Sequence, residues 1–158
     1  MKNDYASPEI ELIIAKNPEN KFCIDCGNET ECEWVSLNNA LFLCLECAGI
    51  HRSLGVKIST IRSLIIDDWD TNQLLLLKVG GNKRFLAFLD EFQSPKDSTF
   101  QNKYSINATE YYRQIVTLIL NLVKVRSLWK WNKAPKTINS RRLSKHCIYD
   151  YFNCKYTK

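Results

Sequence analysis

A chain of 158 residues with 45% hydrophobic side chains is long enough to bury one real core and a squeeze for two, and its composition excludes a disordered polymer. The net charge of +5 is uneven: residues 1–123 hold 12 basic and 16 acidic side chains, whereas 124–158 hold 10 basic and 1 acidic. Residues 1–8 carry no apolar run, so no secretory signal is expected, and the cysteines are predicted to bind metal in a reducing compartment rather than to pair as disulfides.

Ser7 before Pro8 predicts an N-cap with proline at the first helical position, Ile10, Ile13 and Ile14 on one face, and a stop at Asn17-Pro18. Cys23-Ile24-Asp25-Cys26-Gly27 follows, with Gly27 able to take the backbone geometry of a knuckle turn. Residues 34–37 and 40–43, separated by Asn38-Asn39, predict a hairpin that sets Cys44 opposite Cys26. A helix is predicted to open at Cys47 and run to about Leu54, ended by Gly55, with Ile50 and Leu54 on its inner side. On the helical wheel Arg52 then lies about 160 degrees from Ile50, which points it outward. Residues 60–66 predict a buried strand with Asp67-Asp68-Trp69-Asp70 at its edge.

Asp70-Thr71-Asn72-Gln73 resembles a capping box and starts a helix that Gly80-Gly81 terminates. A further helix from about Asn82 carries Phe85, Leu86, Phe88, Leu89 and Phe92, and residues 94–98 are predicted as loop. Asn107-Ala108-Thr109-Glu110 is another capping box, before a helix reaching Val125 or Trp131 with Ile115, Leu118, Ile119, Leu122 and Val125 on one stripe. Its apolar part, from Ile115 to Val125, is far shorter than the roughly 20 residues a bilayer crossing needs, so no transmembrane segment is expected. The expected organisation is one domain over residues 1–131 and a basic tail, solvated or disordered, over 132–158.

Cys23 with Cys26 and Cys44 with Cys47 form two Cys-x2-Cys pairs separated by seventeen residues. Four sulfurs fill a tetrahedral Zn2+ shell and leave no place for water or substrate, so the metal is predicted to be structural. The fold class expected is α/β (α+β): a small four-cysteine zinc-finger core with short strands, surrounded by helices. Cys32 lacks a two-residue spacer and is expected to stay free, while His146, Cys147 and Cys154 are one ligand short of a second site. The spacing also resembles GATA-type DNA-binding fingers. Residues 23–47, however, contain Asp25, Glu29, Glu31, Glu33 and Glu46 and no basic side chain, so nucleic acid is not the expected partner. His51 has no nucleophile or base constellation beside it and reads as structural.

After Cys47, four residues and then Arg52 within Gly49-Ile50-His51-Arg52-Ser53-Leu54-Gly55-Val56 resemble the signature of the Arf GTPase-activating protein (Arf GAP) family. Ser59-x-x-Arg62-Ser63-Leu64-x-x-Asp67 with Trp69, Trp34 ahead of Cys44, Gly81-Asn82, Lys103-Tyr104 and Tyr111-Tyr112-Arg113 extend the likeness over roughly residues 8–125. Two departures are visible: one extra residue between the cysteine pairs, and Lys57 where the family commonly has histidine.

The resemblance implies an activator of Arf-family small GTPases in their GTP form, not a self-contained enzyme. Arg52 would be donated in trans as an arginine finger, with Asp67 in support, Trp34, Ile50 and Lys57 at the partner-facing surface, and GTP and Mg2+ supplied by the GTPase. It also implies a cytoplasmic setting, peripheral at Golgi or vesicle membranes, where the basic tail would meet anionic lipid. Two other classes stay open on the residues alone: a non-catalytic module binding a GTPase or coat protein, and a finger that binds nucleic acid through the tail.

Overall fold

The computed structural model describes residues 5–28, 32–91, 103–104 and 107–131, with side chains to Val125. Phe92, the loop predicted at 94–98 and the tail 132–158 lie outside the described residues. One compact unit extends to Val125.

Helix α1 (Pro8–Lys16) starts as its sequence dictates: Ser7 is extended, its hydroxyl accepts from Glu9 N at 3.2 Å, and proline fills the first helical position, where a missing N–H costs nothing. Ile10, Ile13 and Ile14 are all buried. A 3-10 turn, Pro18–Lys21, follows directly. Strands β1 (Trp34–Ser36) and β2 (Leu41–Leu43) pair antiparallel, with Trp34 opposite Leu43 and Ser36 opposite Leu41. β1 also pairs antiparallel with β3 (Ile61–Ser63), so the sheet order is β2-β1-β3. Leu41, Phe42 and Leu43 are fully buried beneath the helices.

β3 is shorter than the strand expected over 60–66, and side chains account for the difference. Ser63 Oγ accepts from Ile65 N at 3.1 Å and Ile66 N at 3.2 Å, while Asp67 Oδ2 accepts from Ser63 N at 2.6 Å. Leu64 N still bonds to Glu33 O at 2.8 Å, and directly behind it these local bonds close a turn over residues 64–66 that takes the chain out of the sheet. Ile66, read as core, is 79% exposed.

Helix α2 (Leu45–Ser53) opens two residues earlier than predicted and packs Cys47, Ala48 and His51 inward, with Leu54 only partly buried behind them. Ile50 is 47% exposed and not on the inner side. Helix α3 (Thr71–Val79) has both halves of the capping box, Asp70 Oδ1 accepting from Asn72 N and Gln73 N, and Gln73 Oε1 accepting from Asp70 N. Helix α4 (Asn82–Glu91) buries Phe85 and Phe88. Its first residue is itself a staple: Asn82 Oδ1 accepts from Phe42 N at 2.9 Å and its amide donates to Phe22 O at 2.7 Å.

Helix α5 (Asn107–Trp131) meets the core through Tyr112, Val116, Ile119 and Leu120, of which only Ile119 belongs to the predicted stripe. Leu118, Leu122 and Val125 of that stripe are exposed; Ile119 is buried and Ile115 partly so. Tyr112 decides the face, because its ring lies 4.9 Å from Phe85 and 5.2 Å from Phe88, and buried aromatic area outweighs aliphatic side chains on the neighbouring strip. Among the described residues no helix is long and apolar enough to cross a membrane.

The α3–α4 corner is tight because Ala40, at φ +53 in the β1–β2 turn, presses on Gly80, where an added Cβ would fall 2.3 Å from the Ala40 Cβ. Gly80→Ala is therefore expected to destabilise the protein by about 1–3 kcal/mol, read as a lower urea midpoint with unchanged m-value.

Candidate metal centre and arginine face

The first cysteine pair sits on a turn closed by Cys23 N to Asn28 O at 3.1 Å and Gly27 N to Cys23 O at 2.9 Å, with Gly27 at φ +68. Ile24 N donates to Phe42 O at 3.2 Å, which hangs this turn on β2. The second pair begins where β2 ends: Cys44 is the N-cap of α2, its sulfur accepting from Cys47 N at 3.5 Å. As expected of the hairpin, Cys44 faces Cys26, with 3.8 Å between their sulfurs.

The four Sγ atoms of Cys23, Cys26, Cys44 and Cys47 all lie within 4.8 Å of one another. A tetrahedral site with Zn–S bonds of about 2.3 Å has sulfur–sulfur edges of about 3.8 Å, so the cluster is close to ligating geometry. Burial, reinforced by Cys23, pushes the Cys47 thiol far up from its ordinary range. Four thiolates packed this closely repel one another, and a divalent cation at their centre removes that penalty. The residues therefore fit a metal ion. Cys32 is buried but outside this group; burial first, and then the charge of Cys23, raise it to about 12, which leaves it an inert thiol.

Behind the cluster runs a polar chain that sequence reasoning missed. Asn39 Nδ2 donates to Ser36 Oγ at 2.7 Å, Ser36 Oγ lies 2.7 Å from Ser59 Oγ, Ser59 Oγ 2.8 Å from His51 Nδ1, and His51 Nε2 3.0 Å from Asp25 Oδ2. An amide nitrogen at one end can only donate and a carboxylate at the other can only accept. The end bonds therefore have fixed directions, Asn39 donating to Ser36 and a protonated His51 Nε2 donating to Asp25, while the two serine hydroxyls between them can each donate or accept. Asp25 Oδ1 also accepts from Lys103 Nζ at 2.9 Å and Tyr104 Oη at 2.7 Å. Burial alone would raise Asp25; the bond from His51 and the Lys103 charge overcome it and hold the carboxyl below its ordinary value. Arg113 closes the network from α5, donating to Asn39 Oδ1 at 3.1 Å and Tyr104 O at 3.3 Å. In the sequence Asp25 counts only as one negative charge in an acidic knuckle, and two of its partners lie 78 and 79 positions away, so no local pattern signals it.

This framework fixes α2 and leaves Arg52 outside. Arg52 is exposed, its Cζ lies 4.7 Å from the Trp34 ring centroid, and no carboxylate among the described residues pairs with it. The outward direction agrees with expectation, although the reason given for it, an inner Ile50, does not hold: Cys47 facing the cluster sets the helix phase. Trp34 is half-buried under the guanidinium. Lys57 is exposed on a loop held by Asn38 Nδ2, which donates to Val56 O at 3.3 Å and Lys57 O at 3.2 Å. Lys57, Thr60, Leu76, Arg113 and Leu118 border an open groove of about 660 Å³. Asp67 caps the turn after β3 and lies 3.9 Å from Arg62 Nε, while Arg62 Nη2 donates to Asp68 O at 2.7 Å.

Asp25→Ala would leave the His51, Lys103 and Tyr104 donors without their shared acceptor in a buried place. It is expected to cost about 3–5 kcal/mol of stability, measured by urea unfolding of metal-loaded protein.

Comparison with known proteins supplies the context. Residues 9–121 match the ArfGap family, described as "Putative GTPase activating protein for Arf". Over 98 residues, 61% of this chain and 19% of the relative, the sequence is 40% identical to ADP-ribosylation factor GTPase-activating protein 3 of Pongo abelii. It is 34% identical over 108 residues, 68% of this chain, to the ADP-ribosylation factor GTPase-activating protein GCS1 of Saccharomyces cerevisiae, of which it spans 30%. The chain thus spans a third or less of these two relatives. A crystal structure of a "putative GTPase activating protein for ADP ribosylation factor" from Cryptosporidium parvum superposes with a TM-score of 0.62 at 29% identity, covering 76% of this chain and 98% of the other.

Proposed function

The chain belongs to the ArfGap family, and on that premise we propose that it activates GTP hydrolysis by an Arf-family small GTPase, donating Arg52 in trans. The observation that carries this reading is the placement of Arg52: exposed, stacked on Trp34, and borne by a helix whose cap is a cysteine of the cluster. Hydrolysis of GTP spreads negative charge over the transferring phosphoryl group and the leaving oxygen, and a GTPase without its own arginine gains from a borrowed one. A guanidinium suits this task because it stays charged and its planar fork bonds two phosphate oxygens at once. In related systems a donated arginine is worth about 10^3–10^5 in rate, or roughly 4–7 kcal/mol.

The remaining roles follow from position. Trp34 holds the guanidinium plane, and Ile50 and Lys57 are exposed on either side of α2's C-terminal end, available to the partner. Asp67 supports the turn after β3 through Ser63 N. GTP, Mg2+ and the attacking water belong to the GTPase, so this chain completes an active site rather than owning one.

We take the metal to be Zn2+, held by Cys23, Cys26, Cys44 and Cys47. When bound, it supplies no reaction step; it ties the knuckle turn to the start of α2 through a closed sulfur shell. Purified protein is expected to carry one zinc per chain, and a strong chelator should remove it with loss of the folded far-ultraviolet spectrum; a fold that survives metal-free overturns this assignment.

Arg52→Lys tests the central claim. In single-turnover assays over a panel of GTP-loaded small GTPases, wild-type protein should accelerate hydrolysis by an Arf-type member. The variant should lose about 10^3-fold or more of that while keeping its zinc and melting temperature. Full stimulation by the variant overturns the finger; binding by wild-type protein without any acceleration would make the chain a GTPase-binding module instead.

A further inference from the structure

Of the five glycines in the chain, four answer to its own fold. Gly27, Gly55 and Gly81 have positive φ, and Gly80 is crowded by Ala40. Gly49 answers to nothing internal among the described residues. It is the middle residue of the nine-residue α2, helical and exposed, and a Cβ built on it meets nothing within 4 Å among the described residues. Glycine is the poorest helix former after proline, so here the chain gives up helix stability without any return in its own packing.

The neighbours of Gly49 indicate where the return lies. Leu45, Gly49 and Arg52 stand at i, i+4 and i+7, within an arc of about 60 degrees on the outer face of α2. Leu45 is 63% exposed and Arg52 is exposed over Trp34. Between an apolar side chain and a guanidinium, the row therefore drops to bare backbone. Facing surfaces pack by fitting a ridge into such a depression.

We propose that Gly49 is a close-approach notch, where the surface of the docked GTPase comes into van der Waals contact with the α2 backbone. The inference rests on the function proposed above. It commits to a GTP-bound GTPase as occupant because the cation beside the notch has no carboxylate partner among the described residues and complements phosphate charge.

Gly49→Ala and Gly49→Leu separate this from any structural role, since the two readings predict opposite signs. Both substitutions add a better helix former where space is open, so the melting temperature should rise, by a few degrees. In the same proteins the KM for the GTP-loaded GTPase should increase, about tenfold for alanine and further for leucine, with kcat little changed. Arg52→Lys, by contrast, should act on kcat. Wild-type KM in the leucine variant overturns the notch while leaving the arginine finger in place, and so does a fall in kcat alone. A lowered melting temperature would assign Gly49 to the chain's own packing and overturn the notch as well. If wild-type protein neither binds nor stimulates any GTPase of the panel, the proposed function fails and this inference fails with it.

Discussion

Cys44 directly follows β2, contributes its sulfur to the four-cysteine cluster and, through the bond from Cys47 N, caps α2. A nine-residue helix is too short to hold its own shape in water, so its start and rotation must come from outside. The cap supplies the start. The rotation comes from Cys47, which must turn its sulfur to the cluster and so carries Ala48 and His51 inward with it. Once those three face the core, Arg52 falls on the rim beside Trp34, and Gly49 and Leu45 fall outside. The orientation of the arginine is thus a consequence of sulfur placement.

The second constraint is polar. Asp25 lies between the first two cysteines, and its carboxylate gathers donors from α2 and from Lys103 and Tyr104, just ahead of α5. Through His51, Ser59, Ser36 and Asn39 the same bonds cross the sheet and reach Arg113 on α5. A buried network of this kind adds little stability relative to an apolar core of the same shape, because desolvating its charges costs nearly what the bonds return. It does fix direction. Each member has its partner within hydrogen-bond distance in this arrangement of the knuckle turn, α2 and the loop around Ser59, and moving one of them would strand a buried donor or acceptor.

Much of this is legible in the sequence where the signal is local. Ser7-Pro8, the capping box at Asp70, the hairpin around Asn38-Asn39 and the paired cysteines each specify their own structure within a few residues, and each is present as read. What escapes a reading of the sequence is set by side chains reaching across short or long gaps. β3 stops at Ser63 because a serine and an aspartate close a turn directly behind it, which an apolar count over 60–66 does not register. The α5 stripe goes wrong because a count of aliphatics leaves out Tyr112, whose ring fills the space beside Phe85 and Phe88. Hydrophobicity alone places Ile50 inside, whereas Cys47, turned to the sulfur cluster, sets the phase. The Asp25 network has no periodicity to read at all.

The contact between Arg52 and Trp34 has a strength that suits the proposed task. A free arginine side chain carries about 2 kcal/mol of rotamer entropy, and ordering it at the moment of docking would subtract that from whatever the guanidinium gains. Stacking on an indole at a partly exposed site contributes about 0.5–1 kcal/mol, enough to narrow the population of rotamers beforehand. An ion pair to a buried carboxylate would order the side chain more firmly, but leaving it would strand a charge at a cost of about 3–5 kcal/mol, comparable to the roughly 4–7 kcal/mol a donated arginine supplies. An aromatic face leaves no uncompensated charge behind when the guanidinium departs. Trp34 can therefore hold the arginine in place without competing for it, which an acidic residue at the same position could not do.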